Sequence, residues 1–222
     1  MNLPIHIAVF AKAPVAGSVK TRLIPMLGKE GAAAAQRAMS LRTLDAACAA
    51  APEQVSLWTA GASDHPFFTD CATRYGVTLH RQAEGDLGKR MSDCLLKLLK
   101  EHAAVLLIGT DCPAFSVANL QAAAQVLMQG RNMVFIPAED GGYVLVGAIA
   151  QGDSQVRERL LMQAFHAIEW SAPQVMAQTR HRLSALGWQS GKEWQELPAL
   201  WDVDTPDDYR RALRQNLLPS AA

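Results

Sequence analysis

The sequence has no surplus charge of either sign: 21 Lys and Arg residues face 21 Asp and Glu. A chain without a net field has nothing to hold it on nucleic acid or on an anionic membrane, so any anion it binds must meet a local cluster. It also lacks a C-x-x-C pair. Cys48, Cys71, Cys94 and Cys112 stand far apart with no histidine at ligand spacing, which argues against a zinc site or a disulfide framework. Three of them (Cys48, Cys71, Cys94) fall in helical patterns, where a buried apolar thiol is the ordinary use of the residue. No stretch approaches the ~20 apolar residues of a membrane span, and the apolar run from Met1 to Phe10 has neither a basic flank nor a small-residue cleavage site. A cytoplasmic protein with no membrane span is the expectation. Repeats and linkers are absent too, and no Ser-His-Asp or Cys-His set can be assembled from the spacing of the six histidines.

What is present is enough apolar material for a sizeable core, with hydrophobic residues at 50% against 19% charged. A length of 222 residues favours one domain, taken as 1–216, with 217–222 expected to fray. Strand-length apolar runs rich in β-branched residues recur at Ile5–Phe10, Val55–Thr59, Val77–His80, Val105–Ile108, Met133–Ile136 and Tyr143–Ile149. Helical patterns at 31–50, 65–75 and 87–102 separate the first four, and another follows at 117–128. Such alternation builds right-handed βαβ units on a largely parallel sheet, whose ligands gather outside the carboxyl ends of the strands. Ala138–Gly142 joins the last two runs too tightly for a crossover helix and signals a break in the regular winding. Ser171 is expected to cap a helix over 173–186, and a last helix is expected from Thr205-Pro206 to about Arg214.

The loops after the strand ends hold the candidate chemistry. After the first strand, Ala11 to Leu23 concentrates Lys12, Lys20 and Arg22 with Gly17 and Pro14. In an extended stretch Lys20 and Arg22 share a side, and together they would clamp a diphosphate: arginine through its planar fork, lysine as a mobile point charge. A solvated basic loop is the plainer alternative. The fourth run ends in Gly109-Thr110-Asp111-Cys112-Pro113. A carboxylate at the tip of a buried strand is costly unless something satisfies it, and a divalent metal, Mg2+ or Mn2+, shared with phosphate oxygens is the simplest partner. The alternative is an Asx turn or a helix cap. Glu139-Asp140-Gly141-Gly142 reads either as the floor of a pocket or as a plain turn. Asp202 and Asp204 alternate; one is a candidate metal ligand and the other a candidate cap for the last helix. Gly85-Asp86-Leu87-Gly88-Lys89-Arg90 opens a helix, so its free N–H groups and glycines can receive a base or a phosphate, with Arg90 as a binding or a surface residue.

In order along the chain, F-A-K-A-P-V-A-G-S-V-K-T-R-L, Q-A-E-G-D-L-G-K-R-M, G-T-D-C-P, E-D-G-G-Y-V-L-V-G, W-S-A-P-Q-V and D-V-D-T-P-D-D-Y resemble the bacterial glycosyltransferase family named radical-SAM/selenodomain-associated transferase 1, over about residues 5–212. That family is similar to the GT-A fold of nucleotide-diphospho-sugar transferases and, more distantly, to phospholactate guanylyltransferase and the molybdopterin nucleotidyltransferases. The resemblance implies an α/β three-layer αβα sandwich with a mostly parallel, mixed central sheet. It implies a nucleotide sugar or nucleoside triphosphate held by Lys12, Lys20 and Arg22, with Gly85 to Gly88 near the base. Asp111 would be the metal-binding aspartate, with Asp140, Asp202 or Asp204 as second ligand, and Asp140 to Gly142 would face a small-molecule acceptor. Ala16 and Ser18 depart from the Pro and Arg expected there, leaving the loop one cation poorer. Three readings follow: glycosyl transfer, nucleotidyl transfer to a phosphorylated small molecule, and a non-catalytic nucleotide-binding domain. The first two require Arg22 and Asp111 to share a cavity.

Overall fold

The computed structural model describes residues 5–150 and 152–219. Its strands are β1 (His6–Lys12), β2 (Val55–Ala60), β3 (Thr78–Arg81), β4 (Ala104–Ile108), β5 (Met133–Pro137), β6 (Tyr143–Ile149) and β7 (Trp194–Glu196). Its helices are α1 (Ile24–Ala50), α2 (Pro66–Tyr75), α3 (Leu87–Leu98), α4 (Val117–Met128), α5 (Ser154–Ala164), α6 (Val175–Ala185) and α7 (Pro206–Arg214). The strands form one mixed sheet in the order β3-β2-β1-β4-β6-β5-β7. β1 to β4 run parallel, β6 runs against both β4 and β5, and β7 is parallel to β5.

Strand periodicity explains the three layers. On β1, Ile7 and Val9 face one side while Ala8 and Phe10 face the other; on β4, Leu106 and Ile108 oppose Val105 and Leu107. The first face is covered by α1, α2 and α4 through Leu44, Phe68 and Leu120, the second by α3, α5 and α6 through Leu95, Leu161 and Leu183. A strand covered on both faces needs no polar alternation, which is why β4 reads Ala-Val-Leu-Leu-Ile. Each such side chain contributes ~1.5–3 kcal/mol when fully buried. A third cluster, with Leu23, Met39, Trp201, Val203 and Tyr209, packs α7 and the segment before it against α1.

The chain departs from expectation in four places. β7 is a seventh strand, too short and too polar (Trp-Gln-Glu) to show a period of two. α5 was not anticipated because it buries only Leu161 and Ala164 and leaves Val156 and Met162 exposed. Ser171 does not cap α6: its backbone is left-handed at φ 67°, and Gln174 stands at the helix start without a side-chain cap bond. Residues 217–219 do not fray, since Leu218 is buried in the third cluster and the Tyr209 hydroxyl donates to the Pro219 carbonyl at 3.3 Å; residues 220–222 lie outside the described residues.

Gly147 on β6 is required by packing rather than by conformation. A Cβ there would come within 2.6 Å of Leu106 Cδ2 and 2.7 Å of Val134 Cγ1, from the strands on either side. Gly147→Val should therefore overpack the sheet and lower stability by about 1–3 kcal/mol, read as a lower urea midpoint with an unchanged slope. His6, also buried, stacks on His102 at 4.3 Å and shares a 2.8 Å hydrogen bond with Ser56. Burial, then the neighbouring His102 and His80, lowers its pKa from 6.5 to about 4. The unfolded chain thus takes up a proton near pH 6.5 that the folded chain refuses until about 4. The His6 contribution is complete above 6.5 and is lost as pH falls through that window. Urea midpoints measured from pH 7 to 4 should fall less steeply in His6→Gln than in the wild type.

Candidate functional site

Sheet order decides where a ligand can sit. From β1 the chain winds outward through β2 and β3, then returns to place β4 on the other side of β1. The loops leaving β1 and β4 therefore lie side by side at the carboxyl ends of these two neighbours, at the point where the strand order reverses. Both candidate loops fall there.

The β1 loop makes two tight backbone bonds, Val15 N–H to the Ala13 carbonyl at 2.8 Å and Ser18 N–H to the Val15 carbonyl at 3.0 Å, and is anchored by buried Val19. It ends at Lys20, whose backbone is left-handed (φ 45°, ψ 44°), followed by a 3-10 turn over Thr21–Leu23. This corrects the expected extended Lys20–Arg22 stretch: burial of Val19 and Leu23 winds the chain here, so the two cations are not equivalent. The Lys20 side chain is 5% exposed, and its Nζ lies 3.0 Å from both Asp111 Oδ1 and Asp204 Oδ1. Arg22 is 74% exposed and stands 3.8 Å from Asp204 Oδ2. Lys12 is exposed on the same rim.

Asp111 and Asp204 are brought together by the backbone. The Val203 N–H donates to the Asp111 carbonyl at 2.9 Å, stitching the C-terminal segment to the tip of β4, while buried Trp201 and Val203 hold the segment down. Neither Asp111 nor Asp204 caps a helix. Ser116 and Asn119 form the capping box of α4, and Thr205 and Asp208 that of α7, which leaves both carboxylates for the crevice. Burial opposes the Lys20 ammonium, but Asp111 and Asp204 outweigh it and hold its pKa above the ordinary lysine value. Asp202 is pushed up to about 6 by burial and by the negative charges of Asp140 and Asp204, with Lys20 giving only partial relief. The crevice therefore carries more negative charge than its buried cation offsets.

These groups line one cavity of about 670 Å3, within the range of small-molecule sites. Lys12, Lys20, Arg22, Arg90, Asp111, Asp140, Asp202, Asp204 and Gly142 all border it, so Arg22 and Asp111 do share a cavity. Asp140 sits in the β5–β6 turn, where its Oδ1 accepts the Gly142 N–H at 2.9 Å. Gly85 borders a smaller adjoining cavity of about 380 Å3, joined to the first along Gln82 and Arg90. Three expected ligand contacts are not lining positions. Asp86 caps α3, accepting the Lys89 N–H at 2.8 Å. Gly88 is buried under Trp170, where a Cβ would come within 2.5 Å of the ring. Gly141 (φ 95°) packs on the Pro173 carbonyl oxygen, 1.8 Å from where a Cβ would stand, and its own carbonyl accepts the Met176 N–H.

Other lining residues escaped the sequence reading. The Gln36 amide donates to the Thr110 hydroxyl at 3.1 Å, within a buried network linking α1 to the β4 loop; a lone glutamine inside an Ala-rich helix was its only signal. The Gln82 amide donates to the Trp58 carbonyl at 3.0 Å, and Trp170, Ala172 and Val175 also line the cavity. Among the described residues, no group of three or more His, Cys, Asp or Glu side chains is placed to hold a metal. Asp111 and Asp204 nevertheless form a pair of hard oxygen donors already gathered on one cation, and such a pair fits Mg2+ or Mn2+ when phosphate oxygens supply the remaining positions. No helix among the described residues is long and apolar enough to cross a membrane.

Among solved structures, the chain is similar to a protein of Desulfovibrio desulfuricans G20 named as a candidate nucleotide-diphospho-sugar transferase, with 27% identity, a TM-score of 0.78, and coverage of 97% of this chain and 88% of that one. It shares its fold with a cytidylyltransferase of Leptospira borgpetersenii serovar Hardjo-bovis (12% identity, TM-score 0.60, 100% and 90% covered). It also shares it with Rv0371c of Mycobacterium tuberculosis H37Rv, determined in complex with manganese (18% identity, TM-score 0.55, 95% and 98% covered). The fold is thus that of GT-A-like nucleotide-diphospho-sugar transferases and nucleotidyltransferases. No curated protein matches the chain in sequence. The family model described as "Uncharacterized protein conserved in bacteria (DUF2064)" matches residues 43–172, more than half of the 222, and the chain belongs to that family.

Proposed function

We propose that this protein is a divalent-metal-dependent transferase that binds a nucleotide-linked donor and passes a glycosyl group from a nucleotide-diphospho-sugar to a small acceptor. The observation that carries the reading is the single cavity in which Lys20 bridges Asp111 and Asp204, with Arg22 and Lys12 exposed on its rim. Arg22 and Lys12 are free to meet a diphosphate, whose negative charge grows as the bond from the anomeric carbon to the β-phosphate oxygen breaks. Mg2+ or Mn2+ held by Asp111 and Asp204 would neutralise part of that charge. The acceptor hydroxyl oxygen bonds to the anomeric carbon, and its proton passes to the Asp140 carboxylate on the acceptor side. Gln82, Arg90 and the adjoining cavity at Gly85 are the proposed seat of the base. The six ordered sequence motifs further support placing the chain among the radical-SAM/selenodomain-associated transferases 1.

Nucleotidyl transfer to a phosphorylated small molecule uses the same grip and is the second reading. The lining favours the first. Of the cavity lining, Tyr143 to Val146, Trp170, Ala172 and Val175 carry no cation, which suits an uncharged acceptor seated against them.

Arg22→Ala should leave the fold intact, because the side chain is exposed, yet weaken diphosphate binding by about 10- to 100-fold, the worth of a charge-assisted hydrogen bond. Calorimetry with nucleoside diphosphates in the presence of Mn2+ reads this directly. Asp111→Asn should lower turnover by roughly 100-fold or more while the protein still unfolds cooperatively. A panel of nucleotide sugars assayed by released nucleoside diphosphate should yield turnover without pyrophosphate. Pyrophosphate release from nucleoside triphosphates would overturn glycosyl transfer in favour of the second reading, and binding without turnover of any donor would leave only a nucleotide-binding domain.

A further inference from the structure

The proposed function asks two things of the same atoms. Asp111 and Asp204 are to take a divalent ion, yet each already offers its Oδ1 to Lys20 at 3.0 Å. An ion held at ~2.1 Å from both oxygens would come within about 4 Å of the ammonium, whose side chain is only 5% exposed and so poorly screened by water. The two occupants exclude one another. We propose that Lys20 is an internal counter-ion that competes with the divalent cation for Asp111 and Asp204, so that the cation enters when a diphosphate draws the ammonium out of the carboxylate pair. The idea rests on the function proposed above and gives Lys20 a regulatory part within it.

Three further observations support the exchange. Lys20 is the buried cation of the crevice, whereas both carboxylates are about half exposed (51% and 45%), so an incoming ion reaches the acids without first crossing the lysine. The Lys20 backbone is left-handed although the residue is not glycine, a conformation that persists where surrounding contacts over-determine it. Release of the two ion pairs removes such contacts and frees the loop to turn. Beyond the pair, Asp140 and Asp202 border the same cavity, so withdrawal of the ammonium leaves a strongly negative pocket that a divalent ion would fill.

The mechanism is one of linkage. A diphosphate that recruits Lys20 raises the affinity for the cation, and the cation must raise the affinity for the diphosphate by the same factor. Removing the lysine charge should uncouple them, and the variant should then hold the cation without help.

The experiment is a titration of Mn2+ alone, read by loss of the free-ion electron paramagnetic resonance signal, on the wild type, Lys20→Met, Lys20→Arg and Lys20→Met/Asp111→Asn. Lys20→Met should bind Mn2+ at least 10-fold more tightly than the wild type. Lys20→Arg, which keeps the charge, should stay near wild type, and the double variant should lose the gain. Equal affinity in the wild type and Lys20→Met, or a gain that survives Asp111→Asn, would overturn the proposal. If repulsion among the acids prevents Lys20→Met from folding, Lys20→Met/Asp202→Asn is held to the same criterion with one acid fewer. A separate measurement tests the underlying function: the melting temperature of the wild type with methylenediphosphonate, with and without Mn2+. If no stabilisation requires both, the transferase reading fails, whatever the Lys20 variants do. If it does and Lys20→Met shows no gain, only the counter-ion role falls.

Discussion

A buried ammonium between two carboxylates organises this end of the molecule. Lys20 comes from the loop after β1, Asp111 from the tip of β4 and Asp204 from the approach to α7, three segments with no sequence proximity. Alone, any of these charges would be costly at the end of a buried sheet. Together they offset one another, and the backbone bond from Val203 to Asp111 keeps the carboxylates in register. Since the chain as a whole is neutral, binding of the proposed anionic donor would depend on this local arrangement and on the exposed cations at its rim, not on a long-range field.

The balance in the crevice is incomplete by design of the fold. β1 and β4 are adjacent and parallel, so whatever their loops carry is forced to converge. β6, antiparallel beside β4, then brings the Asp140 turn to the same end of the sheet. The raised pKa of Asp202 is the electrostatic trace of this crowding: more carboxylates meet here than one lysine can serve. A site that keeps an unmet demand for positive charge is one that a metal–diphosphate pair can satisfy, because such a ligand brings cation and anion together.

Much of this was legible in the residues. The six strand runs and the helices between them follow from apolar periods of two and 3.6, and the strand-tip rule singles out the loops at Lys20 and Asp111 from sequence alone. What was not legible is instructive. The turn at Lys20 depends on burial of Val19 and Leu23, and no local signal distinguishes it from an extended basic stretch. The pairing of Asp111 with Asp204 joins segments far apart in the sequence, through a backbone hydrogen bond from Val203 and the burial of Trp201 and Val203. The glycines at 88 and 141 read as ligand contacts because glycine permits close approach; what approaches them is the protein itself, Trp170 in one case and Pro173 in the other. β7 and α5 were missed because one is too short and the other too polar for periodicity to register.

The contact between Gly88 and Trp170 has an architectural consequence. Gly88 belongs to the first turn of α3, which begins beside the smaller cavity, whereas Trp170 belongs to the segment that lines the larger one with Ser171 and Ala172. Because position 88 has no side chain, the indole lies directly on the backbone there. A methyl group at position 88 would stand 2.5 Å from the indole and 3.0 Å from the Phe165 carbonyl oxygen, so Trp170 would have to shift, displaced from a point that touches neither the acids nor the basic loop. The seating of the indole and the charge of the crevice thus rest on separate residues.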